Sequence, residues 1–235
     1  MTGTTEPTDP ATGAERRKTA RVRWASGAAV VLALLFAGAA AVASAREDAP
    51  APRAAGAPAA DSADAGFARD MAVHHQQAVE MSFIVRDRTE DEDVRRLAYD
   101  IANTQANQRG MLLGWLDLWG LPKVAGGDDP PMAWMGSGGG HQHADGDADG
   151  VLMAGMASRA ELERLTRLDG EQAEVFYLQL MTDHHKGGVA MAEACASRCT
   201  VPVEQRLARG MVEGQQSELG LMRDMLTERK ARPRP

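Results

Sequence analysis

Histidine and methionine are the residues of this sequence whose types and spacing suggest chemistry. The six histidines fall into three local pairs: His74 with His75, His141 with His143, and His184 with His185. Thirteen methionines accompany them, and all except the initiator lie beyond residue 70. Imidazole and thioether together form a soft donor set, which suits Cu(I) and tolerates Cu(II) through its nitrogens. Because a single methionine is more commonly core filler, the metal hypothesis depends on the clustering.

Two of the histidine pairs lie inside a repeated motif. Residues 71–81 read MAVHHQQAVEM, and residues 181–191 read MTDHHKGGVAM. Both methionines, both histidines and one valine recur at an offset of 110, and the same offset relates Arg96 to Arg206 and Gln105 to Gln215. A constant offset over such a length indicates two equivalent structural units.

Each unit is predicted to be a helical hairpin, and the chain to be all-α. Good helix formers are plentiful, and apolar residues recur at steps of three and four. The first helix is predicted from about Ser62 to Arg88, and the second ends at Trp119 before Gly120. The predicted inner residues of the two first helices are Phe67, Met71, His74, Ala78, Met81 and Val85, and Tyr177, Met181, His184, Gly188, Met191 and Cys195. Those of the two second helices are Leu97, Ile101, Thr104, Gln108, Met111 and Trp115, and Leu207, Met211, Gly214, Glu218, Leu221 and Met225. Since neither hairpin can bury its apolar face alone, the pattern predicts a four-helix bundle.

The organisation around the bundle indicates export. A basic segment, residues 1–24, precedes the uncharged run 25–45, which is a signal or a transmembrane anchor. A run of about 20 residues can span a bilayer, which favours a single-pass protein of the cell membrane with its C-terminal domain outside. The small residues 43–45 favour the alternative, cleavage and secretion. An Ala/Pro-rich linker, 46–60, then leads to the bundle, 61–230.

Within the bundle, hairpins 61–121 and 158–230 are joined by a Gly/Met/His-rich connection, 122–157, predicted to be flexible. Ser158 and Glu161 form a predicted capping box, and Pro202 is predicted to start the last helix. The net charge of -7 argues against a nucleic-acid partner.

Polar residues on the predicted inner faces carry the functional hypothesis. Residues equidistant from a hairpin turn lie level, so two polar residues of each second helix should lie beside each histidine pair. Buried imidazole and amide groups without partners cost roughly 1–3 kcal/mol each. Either they bind metal, or they form a His–Gln layer that only sets helix register. The predicted metal ligands are Met71, His74, His75, Met81, Met181, His184, His185 and Met191, supported by Gln105, Gln108, Gln215 and Glu218.

The donor types favour copper over iron and zinc. Di-iron bundles place Glu three residues before His, where this chain has Met71 and Met181. Structural zinc normally uses Cys and His without Met. No clear general base is present, so a binding protein is favoured over an enzyme, with a metal-dependent oxidoreductase as an alternative.

Two further groups of residues are candidates for chemistry. The connection could bind metal weakly through auxiliary donors, namely Met132, Met135, His141, His143, Met153 and Met156. Cys195 and Cys199 are spaced for a disulfide within one helical turn, while a thiolate ligand remains the alternative.

The doubled Met-x-x-His-His motif, the two glutamines that follow it and the passage 150–193 resemble the family called domain of unknown function 305. The resemblance covers residues 61–228. It implies a ferritin-like four-helix bundle, usually exported, with some members linked to copper binding and copper tolerance. No enzymatic activity is established for the family as a whole. A metal-binding role would suit a copper-handling protein or a second copy of the chain as partner. Gly187 and Gly188 depart from the family pattern and are expected to loosen their helix.

Overall fold

The computed structural model describes residues 56–124, 130–136 and 151–235. This part of the chain contains five α-helices and no strand. They are α1 (Ala63–Arg86), α2 (Glu92–Trp119), α3 (Arg159–Arg167), α4 (Gly170–Arg198) and α5 (Pro202–Glu228), with a short 3-10 turn at Ala133–Met135. The chain is therefore all-helical over these ranges. None of the helices described has the length and apolar character needed to cross a membrane. The predicted signal or anchor, residues 25–45, lies outside the described residues.

Local sequence signals set the helix ends. The Ser62 side chain accepts a hydrogen bond from the Ala65 backbone at the start of α1. The capping box of Ser158 with Glu161 is present at the start of α3. Gly120, with φ of 64°, ends α2 in the left-handed conformation that glycine adopts without steric cost.

The long helices form two hairpins that meet mainly through their first helices. α1 packs along α2, α4 packs along α5, and α1 packs against α4. Since residues on α1 and α4 face a partner helix on two sides, these helices bury more of their surface than α2 and α5. Two apolar clusters fill the interior, one around Phe67 and Leu116 and the other around Tyr177 and Ile101.

The predicted inner faces of the first helices are confirmed, but those of the second helices are partly wrong. All the predicted inner residues of α1 and α4 are buried. On α2, Thr104 and Met111 are exposed, while Gln105 and Leu112 are buried. α5 shows the same displacement: the exposed residues are Gly214 and Leu221, and the buried ones are Gln215 and Met222. The predicted inner residues are spaced alternately four and three residues apart, which is a period of 3.5 residues. Over several turns these positions drift around a straight helix, which has 3.6 residues per turn.

Each hairpin holds the turn of the other. Asp64, in the first turn of α1, accepts hydrogen bonds from the backbone N–H groups of Thr200 and Val201, at 2.8 and 2.7 Å. Its repeat equivalent Glu174, near the start of α4, accepts from the Thr89 hydroxyl. Glu174 also accepts from Arg229 Nε at 2.7 Å. A carboxylate on each first helix therefore fixes the opposite turn, which ties the two hairpins together at both ends.

Two segments of the connection pack on the bundle, contrary to the expectation that all of it is flexible. Asp70 on α1 accepts from the Met132 backbone at 2.7 Å and from Trp134 Nε1 at 2.9 Å. The Gln77 amide both donates to the Ala157 carbonyl, at 2.9 Å, and accepts from its N–H, at 2.7 Å. Residues 130–136 and 151–157 are thus held to α1 by polar side chains.

Glu204, on the first turn of α5, is a buried carboxyl group beside Asp64. The residue is fully buried, and its carboxyl group is hydrogen-bonded to the side chain of Asp64. Burial, and secondly the charge of Asp64, raises the pKa of Glu204 from 4.5 to about 9. The folded chain therefore keeps a proton that the unfolded chain has already lost at neutral pH.

This proton makes stability depend on pH. The free energy of unfolding should fall as pH rises from about 4.5 to about 9, with a slope approaching 1.4 kcal/mol per pH unit. The stabilisation from this proton is fully present below the pKa of the unfolded state. It is lost as the pH rises towards the pKa of the folded state. Urea denaturation at a series of pH values should show that Glu204→Gln removes this part of the decline. Glu213→Gln, an exposed change on the same helix, should keep it. An unchanged decline in Glu204→Gln would contradict the assignment.

Candidate metal centre

Four buried histidines form a layer where α1 crosses α4. His74, His75, His184 and His185 each have 0% of their surface exposed. The rings of His74 and His184 stack with their centroids 3.7 Å apart and their planes tilted by 33°. His184 Nε2 lies 2.9 Å from the His74 carbonyl oxygen, to which it donates. One histidine of each pair therefore lies at the contact between the hairpins.

The other histidine of each pair turns towards the second helix of its own hairpin. Successive residues on an α-helix point about 100° apart, so His74 and His75 cannot face the same point. His75 Nε2 lies 2.8 Å from Gln108 Oε1, and His185 Nε2 lies 2.7 Å from Glu218 Oε2. The sequence separation is 33 in both contacts, so the repeat extends to the hydrogen bonds.

The unpaired ring nitrogens test whether this layer fits a metal. Because carbonyl and carboxylate oxygens only accept, the Nε2 atoms of His75, His184 and His185 carry the protons. In the neutral form of each ring Nδ1 then carries the lone pair, and all three Nδ1 atoms are buried without a hydrogen-bond partner. The His74 ring has no side-chain partner, and its hydrogen bond is to the Ala154 backbone. Metal-binding histidines commonly donate one ring N–H to an oxygen and bind the ion through the other nitrogen. The rings therefore fit a metal ion.

The protonation state also fits. Burial above all, with the charges of neighbouring histidines, lowers the pKa of His74 to about 4 and that of His75 to about 3. Burial, followed by the charges of His74 and His185, also lowers the pKa of His184 well below 6.5. These imidazoles are neutral at neutral pH, which is the form that binds metal.

The four motif methionines are fully buried but are not gathered at one point. Met71 and Met191 belong to the apolar cluster around Phe67, and Met81 and Met181 to the cluster around Tyr177. Each side of the histidine layer therefore has one thioether from each hairpin. Met71 and Met181 lie three residues before His74 and His184, about 4.5 Å along the helix axis. Met81 and Met191 lie farther away.

The histidines do not form a closed cage by themselves. Among the described residues, one group of three His, Cys, Asp or Glu donors lies within 4.8 Å of one another. That group contains no histidine and consists of Cys195, Cys199 and Glu204. The histidine nitrogens are therefore not arranged as three donors around one point.

Two of the predicted supporting amides are buried. Gln105 has both side-chain polar atoms unpaired, and Gln215 Oε1 is also unpaired. Gln215 fills the space beside Gly188, where an added Cβ would lie 2.5 Å from Oε1. Each second helix therefore buries an amide with at least one polar atom that has no partner among the described residues.

A feature that the sequence did not predict is the crossing of segment 151–157 over α4. A Cβ on Gly187 would lie 2.1 Å from the Ala154 carbonyl oxygen, and Gly155 has a φ of +80°. The His74 ring also hydrogen-bonds the Ala154 backbone, which raises the pKa of that ring against the larger effect of burial. Contrary to expectation, α4 is continuous from Gly170 to Arg198. Gly187 makes room for the crossing segment, and Gly188 makes room for the Gln215 side chain. Two glycines in a helix interior are the feature of the sequence that could have indicated such close packing.

The remaining candidates are the auxiliary donors and the cysteines. Met132, Met153 and Met156 are buried in the cluster around Phe67, and Met135 packs against it. The predicted auxiliary donors His141 and His143 lie outside the described residues. Cys195 and Cys199 are joined by a disulfide at the C-terminal end of α4.

These features define an all-helical protein made of two repeated hairpins with a buried histidine layer between them. The family profile of domain of unknown function DUF305 matches residues 64–226, and the chain belongs to this family. A predicted secreted DUF305 protein from Streptomyces coelicolor is 67% identical, with a TM-score of 0.68 over 75% of this chain and 99% of that one. A DUF305 fragment from Deinococcus radiodurans is 31% identical, with a TM-score of 0.56 over the same shares of the two chains.

More distant structures share the fold. CopM in its Cu(I)-bound form is 18% identical, with a TM-score of 0.52 over 70% of this chain and 96% of that chain. CopM in its Cu(II)-bound form is 22% identical, with a TM-score of 0.51 over 69% and 94%. A comparison with curated proteins found no match.

Proposed function

We propose that this chain is an exported copper-binding protein that serves copper buffering, tolerance or delivery. The observation that carries the proposal is the set of buried, unpaired Nδ1 atoms on His75, His184 and His185, whose Nε2 atoms are held by oxygen acceptors. A related fold, CopM, has been crystallised with Cu(I) and with Cu(II), which supports copper as the ion. His74, Met71 and Met181 are the other proposed ligands near the layer, with Met81 and Met191 as outer thioethers.

The donor set favours copper over the common alternatives. Thioether and neutral imidazole are soft or borderline donors, and Cu(I) prefers them. Iron in a bundle would require several carboxylates, whereas the histidine hydrogen bonds of this layer involve one carboxylate, that of Glu218. A cysteine-based zinc site is not available while Cys195 and Cys199 form a disulfide.

The proposal of export rests on the uncharged run of residues 25–45. This run would act as a membrane anchor or as a cleaved signal. The relative from Streptomyces coelicolor is a predicted secreted protein. A disulfide also fits an oxidising compartment better than the cytosol. Fractionation of cells and the mass of the mature N-terminus distinguish the two forms.

Copper binding should raise the stability of the native chain. At a free Cu(I) concentration of about 100 times Kd, the gain is about 2.7 kcal/mol, because the ion binds the native state and not the unfolded one. Thermal unfolding of the full chain in a buffered Cu(I) series, with Mg²⁺ as the control ion, measures this. A melting temperature that does not respond to copper would favour the alternative, a non-catalytic interaction module. The existing hydrogen bonds of His75 and His185 are the observation that supports that alternative. A metal-dependent oxidoreductase would show turnover by the copper-loaded chain.

The two hairpins differ at one informative position, because Glu218 occupies the place of Gln108. A carboxylate stabilises the positive charge that a metal-bound imidazole gains, more strongly than an amide does. Glu218→Gln should therefore weaken Cu(I) affinity by about tenfold, while keeping His185 oriented. The reciprocal change, Gln108→Glu, should not weaken it. Competition against a calibrated Cu(I) chelator measures both, with Glu213→Gln as the exposed control. Equal affinity for all of these chains would exclude His185 as a ligand.

A further inference from the structure

A second group of potential metal donors lies far from the histidine layer. The sulfur atoms of Cys195 and Cys199 and a carboxylate oxygen of Glu204 all lie within 4.8 Å of one another. The three residues are 0%, 2% and 0% exposed. Cys195 is eleven residues after His184, about 16 Å along α4. The group is thus separate from the proposed copper ligands.

The buried carboxyl group of Glu204 does not bind the turn that Asp64 holds. Asp64 makes the hydrogen bonds to the turn, and among the described residues the Glu204 carboxyl group is hydrogen-bonded only to the side chain of Asp64. Burying a carboxyl group beside another carboxylate costs more free energy than burying an apolar side chain at the same position.

The internal repeat shows that this position does not need a carboxyl group for packing. The repeat equivalent of Glu204 is Val94, which is fully buried in the other hairpin. The equivalents of Cys195 and Cys199 are Val85 and Thr89, both also buried. In the first hairpin these three positions therefore hold side chains that cannot form this site. In the second hairpin the same positions hold two sulfur atoms and a carboxyl group.

We propose that, when the disulfide is reduced, Cys195, Cys199 and Glu204 bind one thiophilic divalent cation of the Zn²⁺ type. Reduction breaks the sulfur–sulfur bond and adds two electrons and two protons, which a dithiol supplies as it becomes a disulfide. Binding of the cation releases both thiol protons and the Glu204 proton to solvent. Zinc accepts thiolate sulfur and carboxylate oxygen in its tetrahedral sites.

Charge favours a divalent cation over Cu(I) at this position. Two thiolates and one carboxylate carry three negative charges, so a divalent ion leaves one of them and a monovalent ion leaves two. The nearby Asp64 charge adds to the repulsion. Since burial penalises uncompensated charge, the ion with the higher charge fits better.

The disulfide and the cation exclude each other, because bonded sulfurs provide no thiolates. The site is therefore open only to a chain whose cysteines are reduced, and it closes on oxidation. A bound cation should in turn protect both cysteines from oxidation. This does not depend on whether the histidine layer binds copper.

Co²⁺ titration tests the proposal on the full chain, purified either oxidised or under a phosphine reductant. The reduced chain should bind one more Co²⁺ than the oxidised chain and should show a thiolate-to-cobalt charge-transfer band. Any Co²⁺ that the histidine layer binds is bound by both the oxidised and the reduced chain. It therefore does not contribute to the difference in stoichiometry between them. Equal stoichiometry in the two forms, or no such band, would overturn the site.

Two variants of Glu204 test the carboxylate. Glu204→Gln, and Glu204→Val, which introduces the side chain found at Val94, should both fold. Each should weaken the extra Co²⁺ site by at least about tenfold, the smallest loss typical of groups that support a metal site. Glu213→Gln should leave it unchanged. Circular dichroism checks the fold of each chain. If the reduced variants bind Co²⁺ as tightly as the parent, Glu204 is not a ligand and the proposed site is wrong.

Discussion

The double variant His74→Ala/His184→Ala should lose at least about a hundredfold in Cu(I) affinity, since it removes both central imidazoles and each loss in a metal site costs about tenfold or more. These two rings stack at 3.7 Å where the hairpins meet, and the Nδ1 of His184 is buried without a partner. Competition with a calibrated Cu(I) chelator under reducing conditions measures the change.

The repeat supplies a matched control for this experiment. Gln76 and Lys186 are repeat equivalents two residues beyond the two histidines, and both are exposed. Gln76→Ala/Lys186→Ala should bind Cu(I) as the parent does. Without copper, the histidine variant leaves a cavity where two buried rings stacked, so it should be less stable than the parent, and circular dichroism checks that it is folded. A folded His74→Ala/His184→Ala chain with unchanged affinity would rule out these ligands.

Replacing Gly187 with alanine should destabilise the native chain by about 1–3 kcal/mol, the usual effect of overpacking. The new Cβ would lie 2.1 Å from the Ala154 carbonyl oxygen and 3.3 Å from the Gly155 Cα. Both neighbours are backbone atoms of the segment that crosses α4, and Gln77 holds that segment at Ala157. The movement of a side chain therefore cannot relieve the clash. The midpoint of urea denaturation measures the effect.

The same substitution elsewhere should have the opposite sign. Gly210 and Gly214 lie on α5 with no atom within 4 Å of an added Cβ. Gly→Ala at either position should stabilise the chain by up to about 1 kcal/mol, because alanine loses less backbone entropy in a helix. If Gly187→Ala and Gly214→Ala have equal effects, the crossing segment does not press on α4.

The polar residues beside the histidines were predictable from the sequence, whereas the full buried faces of α2 and α5 were not. Distance from the hairpin turn predicts two polar residues beside each histidine pair, and the structure has hydrogen bonds from His75 to Gln108 and from His185 to Glu218. The predicted faces of α2 and α5 were partly wrong, because Gln105 is buried in place of its neighbour on α2 and α5 differs in the same way. Each of these helices packs mainly on one neighbour, so a small rotation exchanges its inner residues without a large change in apolar burial.

The sequence by itself determined the local features of the protein. The helices, their capping at Ser62 and Ser158, the break at Gly120 and the repeat of 110 all follow from short-range preferences and periodicity. The inner faces of α1 and α4 also followed, since a helix with neighbours on several sides buries a wide stripe that tolerates a small error in phase.

Only the tertiary structure decided how the histidine pairs divide. Adjacent side chains diverge on any helix, but packing between segments 110 residues apart decides that His74 meets His184 and that His75 and His185 turn away. The crossing of segment 151–157 over α4 and the burial of Glu204 beside the disulfide have the same origin. Such contacts join residues that are distant in sequence, so no local propensity or spacing within one helix specifies them.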